Sequence, residues 1–325
     1  MKTRLSALTS LVALLLIAAA GSGPASSQTR LTIAAGVTGW PGYPIFSELA
    51  QLIAKNVPAV QATVEVTGGP PDIMRRIGTK RADLGYTGGI VARDALLGEG
   101  PFTGNPIPVR TLTPLWDIPY HLVTFEGSGI NTIEDLRGKR VWVDVPGGPV
   151  ERDAPRMLKV VGLDYERDIR VERLGVAGAF AAMRERRIDA LFWASVEYLP
   201  APAVMELATT PGLRIKLIPL DSVVPALQKE FGNRYLRMTI RKEYYPGMTA
   251  DVPTFGTAFL LVAHQDLGAD LAYQITKLVY EKRGELTRAD RVAQFITLIG
   301  AAGRSSIPFH PGATRYFKER GVEGF

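Results

Sequence analysis

The chain has 325 residues, no cysteine and only three histidines. Without cysteine there are no disulfides, no thiolate metal site, no thiol nucleophile and no lipid-modified amino-terminal cysteine. The histidines, His121, His264 and His310, stand in no HExxH or comparable metal-ligand spacing. A Gly-Lys-Ser/Thr phosphate loop is missing too. Ser128 lies between Gly127 and Gly129 but lacks the strand–turn–helix setting of a nucleophile elbow. There is no repeat of solenoid period, no heptad pattern and no low-complexity linker. These absences predict a protein that is not an enzyme and needs neither cofactor nor metal.

Long apolar runs are also missing, except over residues 5–20. Lys2 and Arg4 precede that run, and small residues fill positions 21–27. This order predicts a secretory signal peptide over residues 1–27, cleaved near Ala25 or Ser27. The run is somewhat short to span a bilayer, which argues against the alternative of a membrane anchor. The expected mature protein is periplasmic or otherwise extracytoplasmic. Lacking disulfides, it must be held by its hydrophobic cores, for which 46% hydrophobic and 22% charged residues suffice. The formal charge of +6 falls to +4 without Lys2 and Arg4. That excess is spread along the chain. It suits anionic ligands or simply a solvated surface, and is too small for a nucleic-acid footprint.

What is present is one unit used three times: a short strand, a glycine/proline turn and the start of a helix. The first runs from a strand at residues 31–35 through Gly36-Val37-Thr38-Gly39-Trp40-Pro41-Gly42-Tyr43-Pro44 into an amphipathic segment at 45–55. The second joins a strand at 61–67 through Gly68-Gly69-Pro70-Pro71 to a helix at 72–79, with Asp72 placed to cap it. The third joins a strand at 140–143 through Asp144-Val145-Pro146-Gly147-Gly148-Pro149-Val150 to a helix at 151–161. A parallel sheet collects such turns at the carboxyl ends of its strands, where helix amides and dipoles favour anions.

The remaining pattern predicts strands at 82–86, 169–174, 189–193, 214–219, 236–240 and 253–263. It predicts helices at 90–97, 132–137, 177–187, 221–231, 267–282, 286–299 and 311–320, with loop and helix over 195–208. Residues 110–117 and 120–125 read as two extended segments parted by Pro119. Alternating strands and helices argue for an α/β fold built on mostly parallel sheets flanked by helices. No flexible linker is present, yet the chain is too long for one small core. Two lobes joined by crossings near 118–122 and 252–256 reconcile these facts. The expected division is residues 28–120 plus 255–325 in lobe 1 and 121–254 in lobe 2.

Close to the end, Ile307-Pro308-Phe309-His310-Pro311-Gly312-Ala313-Thr314-Arg315-Tyr316-Phe317-Lys318-Glu319 resembles the terminal signature of the TAXI-type solute receptors of tripartite ATP-independent periplasmic (TRAP) transporters. Three further segments agree in order and spacing: Thr67-Gly68-Gly69, residues 135–141 (DLRGKRV), and Tyr245-Pro246-Gly247 with Asp251-Val252-Pro253-Thr254. The resemblance spans about residues 30–322. It implies a two-lobed type II periplasmic binding protein that captures a small organic acid or amino-acid-like ligand in the interlobe cleft and passes it to a TRAP membrane permease. An ABC importer's binding protein and a ligand-sensing receptor for a membrane kinase are alternatives with the same cleft physics.

The resemblance also implies hydroxyl or amide residues beside the turn glycines, and here Trp40-Pro41, Gly42, Pro70, Ile73 and Gly148-Pro149-Val150 stand in register with them. Losing about three hydroxyl partners at ~0.5–1.5 kcal/mol each would weaken a polar ligand by roughly one to three orders of magnitude. Trp40, Tyr86, Trp193 and Tyr198 would instead cover an apolar body, so the expected ligand is less polar than glutamate. The candidate ligand-binding residues are Thr38, Gly39, Trp40, Tyr43, Gly69, Pro70, Tyr86, Gly147, Gly148 and Trp193. Arg75, Arg76 and Arg152 are candidates for a carboxylate clamp, each with solvated surface as its alternative. Glu197 is read as facing water and His310 as making a structural hydrogen bond.

Overall fold

A computed structural model describes residues 28–36, 42–144, 149–194, 200–232 and 234–325. The signal-peptide expectation, and with it residues 1–27, lies outside the described residues, as do Thr38, Gly39, Trp40, Gly147, Gly148, Glu197 and Tyr198.

The chain opens with β1 (Thr29–Ala35), α1 (Tyr43–Asn56), β2 (Val60–Val66), α2 (Pro70–Gly78), β3 (Leu84–Gly88) and α3 (Gly89–Leu97). A long strand, β4 (Val109–Phe125), leads into β5 (Arg140–Trp142), α4 (Pro149–Lys159), β6 (Arg170–Glu172), α5 (Val176–Arg184), β7 (Ala190–Ala194), α6 (Pro202–Thr209), β8 (Ile215–Ile218), α7 (Val224–Phe231) and β9 (Leu236–Ile240). A second long strand, β10 (Val252–His264), precedes α8 (Ala269–Glu281), α9 (Arg283–Ala289) and α10 (Pro311–Glu319).

The order β2-β1-β3-β10-β4-β7-β5-β6, with β8 on β4 and β9 on β10, makes one continuous mixed sheet. β1, β2 and β3 are mutually parallel, and so are β5, β6 and β7. Every antiparallel pairing among the described residues involves one of the two long strands, which serve both halves of the sheet. β4 pairs with β10 from Val109 to Pro119 and then with β7 and β8 from Tyr120 onward. β10 pairs with β9 up to Gly256, and beyond it with β4 and β3.

Burial follows this division. The first core draws on residues from Leu31 to Trp116 and again from Ala258 to Phe317. The second lobe holds two cores, one on each face of its sheet, reaching from Tyr120 to Phe255. In α1 the buried residues Ile45, Phe46, Leu49, Leu52 and Ile53 recur at helical spacing and form one apolar stripe against the first core.

Gly256 stands where the two long strands exchange partners. A Cβ there would lie 2.1 Å from the Ile118 carbonyl oxygen and 2.6 Å from the Met238 sulfur. Only glycine permits the strands to cross this closely.

Three expectations change in detail. The helix expected over 132–137 is a single 3-10 turn at Glu134–Leu136. Residues 110–125 form one strand across Pro119, because Pro119 sits at the change of partner, where a missing N–H interrupts no continuous ladder. The helix expected over 286–299 is instead the end of α9 followed by a 3-10 turn at Arg291–Phe295, with Asp290 between them accepting the Val292 amide.

Candidate functional site

Strand direction sets two rows of turns face to face. β4 runs from the first lobe into the second. β10 is antiparallel to β4 and β3 is antiparallel to β10, so β1, β2 and β3 point their carboxyl ends at the second lobe. β7 is antiparallel to β4, and β5 and β6 run with β7, so their carboxyl ends point back at the first lobe. Gly36, Thr67 and Gly69 therefore lie on one rim, and Val143, Asp144 and Ala194 on the other. The floor between them is the crossing itself, near Ile118, Pro119 and Gly256.

The helix starts on these rims carry carboxylates of the chain's own. The Gly42 amide donates to Asp290 Oδ2 at 2.9 Å. Gly42 has φ +84°, and a Cβ there would meet the Trp116 ring at 2.5 Å, so the turn before α1 requires glycine. Pro44 has no N–H, and the Ile45 amide returns to the Gly42 carbonyl. At α2, Gly68 N–H donates to Asp72 Oδ2 at 3.1 Å and Gly69 N–H to Thr67 Oγ1 at 3.2 Å, while Pro70 and Pro71 offer no donor. The Gly68 amide, chiefly, holds the Asp72 carboxyl below the usual carboxylate range. At α4, Val150 N–H donates to Asp144 Oδ2 at 3.3 Å. Helix amides that the sequence offers to a ligand are thus partly occupied by intrinsic carboxylates.

The aromatic candidates divide by exposure. Tyr43 is half-buried in the first turn of α1 and packs on the first core. Tyr86 is 1% exposed, stacked on Phe46 with centroids 4.2 Å apart and tilted against Phe259, so it presents no ring face to the cleft. Among the described residues its buried hydroxyl has no hydrogen-bond partner of good geometry, and burial pushes it up to about 12. Trp193, half-buried at the carboxyl end of β7, meets Phe180 edge-on at 5.3 Å and stacks on Trp142 at 5.9 Å. Pro70 is the first residue of α2, and Gly69, at φ +101°, is the turn residue before it.

Of the arginines, Arg76 pairs with Glu65 and Asp72 on the surface, and Arg75 lies over the Phe102 ring. Arg152 reaches toward Asp153, with Nη2 3.7 Å from the carboxylate and its buried Nε unpartnered among the described residues. Asp153 is fully buried and accepts the Tyr120 hydroxyl at 2.6 Å. Burial raises the Asp153 carboxyl, opposed by Arg152 and Arg156. His121, on β4 beside the crossing, is enclosed. Its Nδ1 lies 3.3 Å from the Pro119 carbonyl and its Nε2 3.1 Å from the Tyr245 hydroxyl. Burial lowers its pKa to about 4.

The terminal signature is structural. Thr111 donates its amide to the Pro308 carbonyl and accepts the His310 amide, while His310 Nδ1 accepts from Gly312 and caps α10. This bears out the structural role expected for His310. Sequence reasoning missed Asp290, whose partner Gly42 lies 248 residues away and leaves no local signal. Among the described residues, no cluster of metal-ligating side chains is found, and no helix is long and apolar enough to cross a membrane.

A family model described as NMT1-like family matches residues 33–321. Among solved structures, the chain is similar to the periplasmic sulfonate-binding protein SsuA from Methylobacillus flagellatus KT. The identity is 15% and the TM-score 0.56, over 92% of this chain and 97% of that one. It is also similar to XAC2383 from Xanthomonas citri bound to ATP, at 12% identity and a TM-score of 0.53, over 91% of this chain and 97% of the other. At these identities the likeness is one of fold, and the fold is the two-lobed α/β architecture of type II periplasmic binding proteins.

Proposed function

The chain belongs to the NMT1-like family, and we propose that it is an extracytoplasmic solute-binding protein that captures a small organic acid between its lobes and delivers it to a membrane importer. The observation that carries this reading is the opposition of two rows of strand ends across a double crossing, the arrangement in which α/β folds bind ligands. A guest touching both rims would favour the closed form. Tyr43, Gly69 and Pro70 would act from one rim and Trp193 from the other. Thr38, Gly39, Trp40, Gly147 and Gly148 complete the proposed contact set.

The proposed ligand is less polar than glutamate. Asp290, Asp72 and Asp144 already accept helix-start amides, which leaves fewer donors for a guest with two acid groups and adds like charge near it. A single carboxylate on an aliphatic or aromatic body fits these rims better. A thermal-shift screen of the mature chain, with glutamate, succinate and a series of aliphatic and aromatic monocarboxylates, tests this, since a tight ligand raises the melting point by mass action. A rise with monocarboxylates is expected. A rise with glutamate alone would overturn the ligand class, and no rise with any organic solute would overturn the binding function.

The fold shared with a sulfonate-binding protein supports delivery to an ATP-driven importer. The segment at residues 307–319 favours a second reading, a TRAP-type permease. The neighbouring genes separate them: an ATPase supports the first and a large multi-span permease without an ATPase the second.

A further inference from the structure

α3 packs by Val91, Ala92 and Ala95 into the first core, yet its carboxylate is held by the second lobe. Asp94 is 1% exposed. Arg156 of α4 donates through Nη2 to both of its oxygens, at 3.2 and 3.3 Å. Arg234, 3% exposed and just ahead of β9, donates through Nη1 to Asp94 Oδ1 and through Nη2 to Glu99 Oε2 at 2.7 Å. Two first-lobe carboxylates are thus gripped by two second-lobe guanidiniums. Ile90, one turn earlier on α3, belongs to the second lobe's core, and the Arg156 guanidinium lies over the Phe231 ring at 5.5 Å.

The bridge is tied to the crossing. Arg156 Nη1 lies 3.5 Å from Asp153 Oδ1, and Asp153 Oδ2 accepts the hydroxyl of Tyr120, the residue at which β4 changes partners.

We propose that the Arg156–Asp94–Arg234 bridge is the fulcrum of the two lobes: it stays closed in every lobe arrangement, and the lobes turn about it. Its residues position the rims without touching the ligand. Parting them would strand the buried Asp94 carboxylate and the buried Arg234 guanidinium, with Arg156 only partly exposed, a far larger penalty than parting exposed pairs that fall back into water. A contact fastened to the crossing also moves little while the distant rims swing. A latch, formed only in the closed state, would be built at the rims from exposed groups. This inference rests on the two-lobed fold alone and is independent of the ligand's identity.

The absence of cysteine allows site-specific spin labelling of the ligand-free chain. Labels at the exposed positions Gln51→Cys in α1 and Glu243→Cys in the second lobe report the interlobe distance. With the bridge intact, one narrow distribution is expected. Asp94→Asn or Arg234→Met should widen it by about twofold or more, because the lobes lose their common pivot. An unchanged distribution, or one shifted to a new mean at equal width, would overturn the proposal. If the single variants fail to fold, the triple replacement Asp94→Leu/Arg156→Met/Arg234→Met removes the charges together and is read the same way. The unmutated bridge supplies a further arm: 1 M salt should leave the distribution unchanged, since buried pairs are screened little, and broadening under salt would also overturn the proposal.

Discussion

The Gly42 amide donates to the Asp290 carboxylate at 2.9 Å, joining the start of α1 to the break after α9. The other Asp290 oxygen accepts the Val292 amide, so one side chain serves the start of α1 and the start of the 3-10 turn at Arg291–Phe295. Asp290→Ala should destabilise the protein by about 1–2 kcal/mol through loss of both acceptors. Urea denaturation measures the loss, and Asp290→Asn, which keeps one acceptor oxygen, should recover part of it.

Gly256→Ala should be far more damaging. The added methyl would fall 2.1 Å from the Ile118 carbonyl oxygen, where two backbones meet and neither can yield locally. A loss of at least about 2 kcal/mol is expected. Gly178→Ala is the control. It lies inside α5 with its nearest neighbour, the Leu174 Cβ, at 3.8 Å, and should be neutral or stabilising by up to ~1 kcal/mol.

His121 makes stability depend on pH. Burial lowers its pKa from 6.5 to about 4 in the folded chain, so between those values the unfolded chain binds more protons. Its neutral form accordingly contributes full stability above about pH 6.5, and that contribution is lost as pH falls toward 4. The total is about 3 kcal/mol. Urea midpoints at pH 7.5 and 4.5 should differ, and His121→Gln should remove about that much of the difference. An unchanged difference would mean that other groups carry it.

The ionic bridge should respond asymmetrically to substitution. Arg234→Met leaves buried Asp94 with Arg156 as its one remaining guanidinium partner in the bridge and should cost about 1.5–3 kcal/mol, the worth of a hydrogen bond to a charged group. Replacing Asp94, Arg156 and Arg234 together by apolar residues should cost much less than three single losses added up. Chemical denaturation of the singles and the triple measures the difference.

Much of the fold was legible because it rests on local chemistry. The three strand–turn–helix units could be read from the alternation of apolar runs with glycine and proline, and β9 appears with the bounds its pattern gives. Pro119 hid the unity of β4, since its tolerance depends on which strand lies opposite. At the rims, the sequence shows Asp72 and Asp144 beside their turns but cannot show Asp290 reaching Gly42. The partners of Asp94 are likewise invisible, because Arg156 and Arg234 follow it by 62 and 140 residues. What local patterning encodes was readable; what only the closed chain brings together was not.

The first core takes its residues from both ends of the chain, with the whole second lobe inserted between them. A ribosome or an export channel releases the polypeptide in one direction, so β1 to α3 emerge long before the part of β10 that flanks β3, or α8 and α10, which complete their packing. The inserted half can mature as soon as Phe255 is out, while the half that appeared first must wait, unfinished and sticky, for the final segments. A holding factor or slow release would be needed most during that interval, and clipping the last helix would cripple the part of the molecule made earliest.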